Sequence, residues 1–193
     1  MIRMATAADI PAILDIYGPY VRNTAISFEY TVPTLEEFTQ RFRGITAQFP
    51  WLVWEEDGRV LGYAYGSAPF ERAAFGWCAE ASIYLRPEAQ GKGIGKALYH
   101  VLEELLKIQG YGKVYALVTS ANQPSVDFHL ACGYTHTAAM PGCGFKLGTW
   151  HDLFWLEKGL NFVEFPTKFP IPVSGIVDFD RKFCEILDIL SLS

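Results

Sequence analysis

Apolar residues in the first half of the chain change their spacing from helical to strand-like near residue 50. Spacing of three and four residues predicts one helix over residues 9–21 and a second over residues 34–48. Thr34 and Glu37 have the spacing of a capping box at the start of the second helix. Short apolar runs predict strands at residues 2–4, 51–54, 60–68 and 78–85.

The second half of the chain alternates helices with strands. A glycine-rich segment follows the strand at 78–85, and a helix then runs to Gly110, a predicted C-terminal cap. The remaining elements are expected as a strand at 113–118, a helix at 122–132, and strands at 134–139 and about 145–157. This order predicts an α/β fold whose sheet is mixed, mostly antiparallel and flanked by helices.

Composition limits the partners that the protein can have. Half of its 193 residues are hydrophobic and 19% are charged, which is enough material for one packed domain. The net charge of −5 without a basic run argues against nucleic acid. No apolar stretch approaches the roughly 20 residues of a membrane helix, and the start lacks a secretory pattern. We therefore expect a cytoplasmic protein without a membrane partner.

The cysteines do not have the spacing of a metal site. Cys78, Cys132, Cys143 and Cys184 form no C-x-x-C pair and have no histidines at zinc-finger spacing. We expect no metal. In a reducing compartment, four such thiols are interpreted as small apolar core residues.

The glycine-rich segment is a candidate anion site. Gly91, Gly93 and Gly95 alternate between a predicted strand and a predicted helix, so backbone N–H groups at the positive helix end can face a pyrophosphate. The Walker pattern requires Ser or Thr after the Gly-Lys pair, whereas Lys96 is followed by Ala97. The alternating glycines also differ from the dinucleotide fingerprint. A nucleotide-binding interpretation therefore rests on the glycines alone.

Two ordered motifs resemble those of a known enzyme superfamily. Gln90-x-x-Gly93-x-Gly95, between a strand and a helix, resembles the pyrophosphate motif of the GCN5-related N-acetyltransferase (GNAT) superfamily. Asn122-x-Pro-Ser-Val, followed by His129-Leu-Ala-Cys-Gly-Tyr, resembles the second motif of that superfamily. The resemblance implies a GNAT acyl-CoA N-acyltransferase fold and an acetyl-CoA-dependent N-acetyltransferase.

Several further segments indicate a subgroup and a domain boundary. Residues 23–29, 79–85, 122–126 and 148–152 resemble phosphinothricin and methionine sulfone N-acetyltransferases in particular. The resemblance covers residues 1–160, the expected GNAT domain, and leaves residues 161–193 as a C-terminal extension. An amphipathic helix is predicted there at 178–190, docked on the same domain or, alternatively, on a partner subunit.

The resemblance implies acetyl-CoA as co-substrate, a small-molecule amine as acceptor and a homodimer. The implied acetyl-CoA-binding residues are Ile83, Tyr84, Leu85, Gln90, Gly91, Lys92, Gly93, Ile94, Gly95, Lys96, Asn122 and Ser125. Within this set, residues 83–85 would line the acetyl and pantetheine end, and residues 91–96 would bind the pyrophosphate. Asn122 would hydrogen-bond the pantetheine arm.

Glu80 and His129 are the candidate catalytic residues. Acetylating an amine requires a neutral amine, a stabilised oxyanion and a proton for the departing thiolate. Glu80 is the only acid between Arg72 and Arg86, and it is interpreted as the base or, alternatively, as a solvated glutamate near a strand end. His129 stands where many superfamily members carry a tyrosine that reprotonates the thiolate; a structural role is the alternative.

The acceptor site is expected in two segments that the resemblance brings beside the acetyl group. The candidate substrate-binding residues are Phe28, Tyr30, Arg72, Ala73, Ala74, Phe75 and Trp77. Arg72 can pair with an α-carboxylate, which indicates an amino-acid-like acceptor. A polyamine, an aminoglycoside and a protein N-terminus remain alternative acceptors. A non-catalytic acyl-CoA sensor is the alternative from another class.

Overall fold

Seven strands form one sheet in the part of the chain that the computed structural model describes, residues 1–161 and 164–191. The strands are β1 Ile2–Met4, β2 Trp51–Glu56, β3 Arg59–Ser67, β4 Cys78–Leu85, β5 Lys113–Thr119, β6 Thr135–Lys146 and β7 Thr149–Gly159. The helices are α1 Ile10–Asn23, α2 Leu35–Thr46, α3 Ile94–Gln109, α4 Gln123–Ala131 and α5 Phe179–Ser191.

The sheet has the strand order β1-β2-β3-β4-β5-β7-β6. Strands β4 and β5 are parallel, and the other neighbouring pairs are antiparallel. The predicted mixed, mostly antiparallel α/β sheet is therefore confirmed. Within the described residues, β4 and β5 pair only where Cys78 to Glu80 face Lys113 to Tyr115, and beyond that point β4 has no ladder partner on this side.

The two faces of the sheet carry separate hydrophobic clusters. Trp51 and Val53 of β2 pack with α1 and α2, whereas Leu52 between them packs with α3 on the other face. This alternation follows from the period of two along a strand. Helix α3 is the most deeply buried helix, and its residues Leu98 and Leu102 are fully covered.

The predicted capping box and the predicted cap at Gly110 are confirmed. Thr34 Oγ1 accepts a hydrogen bond from the Glu37 backbone N–H at 3.2 Å, and the Thr34 N–H donates to the Glu37 carboxylate at 2.8 Å. Gly110 ends α3 with a φ of 102°, in the left-handed region that favours glycine. Asp57 and Gly58, both with positive φ, form the turn between β2 and β3.

The predicted boundary between the last two strands is wrong. β6 continues to Lys146, and the chain turns at Leu147 and Gly148, which have φ values of 51° and 81°. Pro141 and Gly142 resemble a break in the sequence, but they lie within β6 where its register against β7 shifts. An edge strand tolerates such residues in a bulge because only one of its sides is paired.

The C-terminal segment packs on the rest of the chain. Residues 168–173 reach Gln48, Trp77 and Gln109 through hydrogen bonds, including Ile171 N–H to the Gln109 carbonyl at 2.9 Å. The predicted amphipathic helix is confirmed as α5, which packs on α3. The rest of the predicted extension, residues 162–163 and 192–193, lies outside the described residues.

Two of the four cysteines do not have the predicted burial. Cys78 and Cys132 are partly buried, whereas Cys143 and Cys184 are exposed. Cys143 lies on the edge strand β6, most of whose residues are exposed, and Cys184 lies outside the packed stripe of α5.

Among the helices of the described residues, none has the length and apolarity required to cross a membrane.

Candidate active site

A cleft opens where β4 and β5 separate. Its walls are formed by residues 81–84 of β4 and residues 116–119 of β5, and the space between them is about 50 Å³. Ile26, from the segment between α1 and α2, also lines the cleft. Because β4 has lost its ladder partner on this side, backbone polar groups of residues 82–84 that face β5 are not used by the sheet and can bind a ligand. The predicted residues Ile83 and Tyr84 lie in this wall.

Helices α3 and α4 close the cleft from one side of the sheet. Tyr99 of α3 lines it together with Asn122, Ser125 and His129 of the α4 region. The predicted residues Asn122 and Ser125 therefore lie beside Ile83 and Tyr84, although they are distant in sequence. An extended ligand arm in this cleft would meet the β4 backbone on one side and α4 on the other.

The glycine loop lies at the start of α3. Gly91 and Gly93 have φ values of 71° and 79°, so the loop needs glycine at both positions. The first N–H groups of α3, at Ile94, Gly95 and Lys96, have no acceptor within the helix and point toward its positive end. Lys92 and Lys96 are exposed and add positive charge. These features are suited to an anion.

The Gln90 side chain forms a hydrogen bond within the protein instead of pointing freely toward a bound anion. Its Nε2 donates to the Tyr20 hydroxyl at 3.2 Å, and that hydroxyl donates to the Leu85 carbonyl at 2.5 Å. Gln90 and Leu85 are thereby attached to α1. At the other end of the loop, a Cβ on Gly95 would lie 3.3 Å from the Ile83 and Phe128 side chains, so glycine permits close packing of α3 on β4.

Glu80 lies at the point where β4 leaves β5. Its register partners are Ser67 of β3 and Tyr115 of β5. Burial raises the pKa of the Glu80 carboxyl to about 7. Within the described residues, no side chain forms a hydrogen bond or an ion pair with this carboxylate. A half-buried carboxyl with a pKa near neutrality can act as a general base.

His129 is bonded at both ring nitrogens. Its Nδ1 is 2.6 Å from the Ser125 carbonyl oxygen, which can only accept, so Nδ1 carries the proton. Its Nε2 is 2.8 Å from the Tyr99 hydroxyl, which therefore donates to it. Burial lowers the pKa of His129, although the bond to Ser125 opposes this effect. The Tyr99 hydroxyl is also 3.2 Å from the Ala81 carbonyl in the cleft wall.

The first predicted acceptor segment is held by the β6–β7 hairpin. The Tyr30 hydroxyl donates to the Phe145 carbonyl, and the Phe28 ring packs on Gly144, where a Cβ would clash with it. Lys146 Nζ donates to the Val21 and Ser27 carbonyls. Phe28 and Tyr30 therefore lie in one supported segment that continues from Ile26 in the cleft.

The second predicted acceptor segment is divided by the structure. Arg72, Ala73 and Ala74 are exposed, and Phe75 contacts Phe70 with ring centroids 4.4 Å apart. Phe70 stacks on Trp155 at 5.4 Å, and Trp155 meets Tyr115, the register partner of Glu80, at 5.7 Å. These rings form an aromatic wall that extends from Tyr115, beside Glu80, toward the segment of Arg72.

Trp77 lies apart from this wall. Its Nε1 donates to the Lys168 carbonyl at 3.0 Å, and its ring stacks on Phe169 with centroids 4.4 Å apart. The structure therefore uses Trp77 to attach the C-terminal segment. Trp77 and Arg72 belong to one stretch of sequence but have different surroundings.

Sequence reasoning missed Tyr99, Lys146 and the ring of Trp155. Tyr99 has the helical spacing of a core residue, so only the fold places its hydroxyl beside His129. Trp155 resembles any aromatic residue of a strand. Lys146 did carry a signal, since it is a lone cation between apolar residues near a strand end, comparable to the signal of Glu80.

The split sheet and the glycine-rich start of α3 are typical of an acyl-CoA N-acyltransferase. The family model described as "Acetyltransferase (GNAT) domain" matches residues 2–155. The chain belongs to the GNAT acetyltransferase family and is an N-acetyltransferase, which confirms the resemblance of the two motifs.

Curated relatives and solved structures agree with this family. The phosphinothricin N-acetyltransferase of Streptomyces viridochromogenes is 36% identical over 155 residues, which are 80% of this chain and 85% of the relative. The L-methionine sulfoximine/L-methionine sulfone acetyltransferase of Pseudomonas paraeruginosa is 37% identical over 164 residues, 83% of this chain and 94% of the relative. A phosphinothricin acetyltransferase from Sinorhizobium meliloti, crystallised with AcCoA, has a TM-score of 0.82 at 36% identity and covers 93% of this chain and 96% of its own.

Proposed function

We propose that the protein transfers the acetyl group of acetyl-CoA to the amino group of a small amino-acid-like acceptor. The observation that carries this proposal is Glu80, a half-buried carboxyl with a pKa of about 7 at the point where β4 leaves β5. The relatives act on phosphinothricin and on methionine sulfoximine or sulfone, according to their names. A sensor without chemistry would have no use for a base tuned near neutrality.

The residues around the cleft fit acetyl-CoA. The loop at residues 91–96 combines free N–H groups, positive φ glycines and two lysines, a set suited to a pyrophosphate. Ile83, Tyr84, Asn122 and Ser125 line the narrow part, where an unpaired strand edge can bond an amide-bearing arm. When bound, acetyl-CoA supplies the activated acetyl group, and β4 backbone N–H groups would stabilise its carbonyl oxygen during attack.

Glu80 acts on the acceptor. Its carboxylate takes a proton from the acceptor ammonium, directly or through water, and so provides the neutral amine that attacks. Arg72, exposed at the far end of the aromatic wall, would pair with the acceptor α-carboxylate. The side chain of the acceptor would lie along Phe70 and Phe75.

Tyr99 and His129 form the route for the remaining proton. The attacking nitrogen must lose a proton and the departing sulfur must gain one. The Tyr99 oxygen accepts the proton from nitrogen while its own proton moves to His129 Nε2, and the reverse movement delivers a proton to sulfur as the C–S bond breaks. The pair is neutral before and after, as expected for a buried imidazole with a lowered pKa.

A homodimer is part of the proposal. Within the described residues, Met140, Phe145, Leu147 and Trp150 on the β6–β7 hairpin expose about half or more of their surface. A patch of exposed large apolar residues on an edge hairpin is typical of a subunit interface. Light scattering of the protein and of a Trp150→Lys variant tests this, since the variant should shift toward the monomer.

The unpaired cysteines suit a reducing compartment such as the cytoplasm.

The experiment that tests the function measures release of the CoA thiol across a panel of amines. The panel contains methionine sulfone, methionine sulfoximine, phosphinothricin, common amino acids, a polyamine and an aminoglycoside. We expect turnover on the amino-acid-like compounds. Turnover confined to the polyamine or the aminoglycoside would contradict the acceptor class and retain the reaction, and acetyl-CoA binding without any turnover would favour the sensor.

Arg72→Ala sharpens this test. The Michaelis constant for methionine sulfone should rise, whereas that for its carboxamide, which has no carboxylate, should stay unchanged. An equal change for both acceptors would remove Arg72 from carboxylate binding.

A further inference from the structure

Lys146 is a buried lysine at the end of β6, and only 4% of its surface is exposed. Its Nζ donates to the Val21 carbonyl at 2.7 Å and to the Ser27 carbonyl at 2.6 Å. Both distances are short, as expected for bonds from a charged donor. Burial lowers the pKa of this ammonium, and the charge of Glu29 opposes that effect. The partners of the ammonium are thus backbone oxygens.

Burial of a cation is an energetically unfavourable way to join two segments. Within the described residues no carboxylate lies within ion-pair distance of Lys146. Removal of an ammonium from water is unfavourable, and apolar side chains of similar volume usually close a core at lower cost. The position of Lys146 therefore calls for a role that an apolar residue would not fill.

The two carbonyls that Lys146 binds lie in the chain just before the acceptor residues Phe28 and Tyr30. Val21 lies in the last turns of α1, and Ser27 precedes Phe28. An ammonium with directed donors holds the two oxygens at a set separation, which hydrophobic contact alone does not do. The Ser27 side chain is held as well, because its hydroxyl lies 2.7 Å from that of Tyr17.

The hairpin contacts the same segment at two further points. The Tyr30 hydroxyl bonds the Phe145 carbonyl, and the Phe28 ring covers Gly144. His151 of β7 donates from Nε2 to the Lys146 carbonyl at 3.0 Å, which supports the lysine backbone. Lys146 is thus the central member of a set of contacts that fixes residues 21–30 against the hairpin, and among the described residues its ammonium is the charged group of that set.

We propose that Lys146 is a positioning residue for acceptor binding: its buried ammonium holds residues 21–30 in the conformation that forms one wall of the acceptor pocket. This inference rests on the proposed function for the identity of the pocket. Lys146 itself does not touch the acceptor. Its contribution is preorganisation, since a segment that is already ordered loses less entropy when the acceptor binds.

The test compares Lys146→Met with Lys158→Met in the full chain. Lys158 is a matched control, because its Nζ also donates to a backbone carbonyl, that of Cys132, at 2.7 Å, and it pairs with Glu103 behind the cleft. We expect Lys146→Met to raise the acceptor Michaelis constant roughly tenfold or more, because misplacement of a pocket wall has effects of this order. Affinity for acetyl-CoA, measured by calorimetry without acceptor, should stay within about twofold in this variant. Lys158→Met should leave the acceptor constant unchanged.

Hydrogen exchange gives a readout that does not depend on turnover. In Lys146→Met, amide exchange should accelerate in residues 21–30 and stay unchanged in α3. The proposal would be overturned if the acceptor Michaelis constant stayed unchanged in Lys146→Met, or if it rose equally in Lys158→Met. Unchanged amide exchange at residues 21–30 in Lys146→Met would overturn it as well. A wild type without turnover on any amine would contradict the proposed function, whereas the exchange result would still decide whether Lys146 orders the segment.

A second variant covers the case in which Lys146→Met does not fold. Tyr30→Phe removes one exposed hydroxyl, the donor to the Phe145 carbonyl, and retains the ring. It should accelerate exchange in residues 21–30 to a smaller extent. Unchanged exchange in this variant would overturn the role of the hairpin contacts.

Discussion

The two ends of the cleft are built in different ways. At the acetyl-CoA end, residues 83–96 are contiguous, and the groups that would bind are mostly backbone N–H groups at the start of α3. The proposed acceptor end instead depends on side chains from four separate segments: Ile26 to Tyr30, Glu80, Phe70 to Phe75, and Trp155. The second arrangement exists only after β6 and β7 have packed on the α1–α2 segment.

This difference determines how each end can vary. A backbone site depends on conformation, so it demands glycine at a few positions and tolerates change elsewhere. A side-chain site depends on long-range packing, so residues that never touch the ligand, such as Lys146, can alter it. Variants at each end should therefore separate the affinities for acetyl-CoA and for the acceptor.

The largest effect is expected from Glu80→Gln, at the junction of the two ends. Loss of a general base should reduce kcat by about 10²–10⁴-fold with little change in affinity for acetyl-CoA. Because the base must be deprotonated and its pKa is about 7, wild-type kcat/KM should rise with pH through about 7. The variant should lose this step, as measured by initial rates between pH 5.5 and about 9.

Stability provides an independent check of the Glu80 pKa. A carboxyl whose pKa is raised by folding holds its proton more tightly in the folded state, so its contribution to stability declines as the pH rises toward about 7. Glu80→Gln should lack this decline in denaturant titrations. Glu88→Gln is the control, since Glu88 lies on the surface in an ion pair with Arg59. If the stability of Glu80→Gln kept the pH dependence of the wild type, the raised pKa would not belong to Glu80.

The fold was largely predictable because its signals are local. The capping box of Thr34 and Glu37, the cap at Gly110 and the strand at 78–85 each depend on residues close in sequence. The β6–β7 boundary was not predictable, because Pro141-Gly142 is locally a better turn than Leu147-Gly148. Pairing with β7 across the whole sheet edge decided between them.

The second largest effect is expected from Tyr99→Phe. Loss of this hydroxyl removes the donor to His129 Nε2 and the route for the second proton, so kcat should fall roughly 10–100-fold. Tyr134→Phe is the matched control, because that buried ring packs against His129 at 5.2 Å without bonding it. NMR titration of His129 should show a changed pKa only in Tyr99→Phe. Equal kcat values in the two variants would reduce the Tyr99–His129 pair to a structural contact.

A smaller effect, confined to the acetyl-CoA end, is expected from Gly93→Ala. The alanine Cβ would meet open space, but the φ of 79° disfavours it by about 1–2 kcal/mol. The Michaelis constant for acetyl-CoA should rise about fivefold to tenfold, and that for the acceptor should not change. Gly58 has a φ of 73° and the same open surroundings, so Gly58→Ala should lower the free energy of unfolding as much as Gly93→Ala does. It should leave the Michaelis constant for acetyl-CoA unchanged. An equal rise in Gly58→Ala would make the loop conformation irrelevant.

The candidate site was predictable where its chemistry lies in a short motif or in a lone charge among apolar residues. The loop at residues 91–96 and the lone acid Glu80 could be identified from sequence. The surroundings of Trp77 could not, because its neighbour Phe169 is far away in sequence and belongs to a segment outside the matched family region, residues 2–155. Aromatic residues in one stretch resemble each other until the fold separates them, as Phe75 and Trp77 show.

The smallest effect on catalysis is expected from Phe169→Ala, which tests whether Trp77 belongs to the acceptor site. Loss of the stacked partner should lower the free energy of unfolding by about 1 kcal/mol, because aromatic pairs contribute on this scale and Phe169 is more than half exposed. The melting temperature should drop by about 2–4 °C. If Trp77 only attaches the C-terminal segment, the acceptor Michaelis constant should change less than about twofold, whereas Phe75→Ala should raise it severalfold. A larger rise in Phe169→Ala than in Phe75→Ala would mean that the C-terminal segment shapes the pocket, and the acceptor end would then include a fifth distant segment.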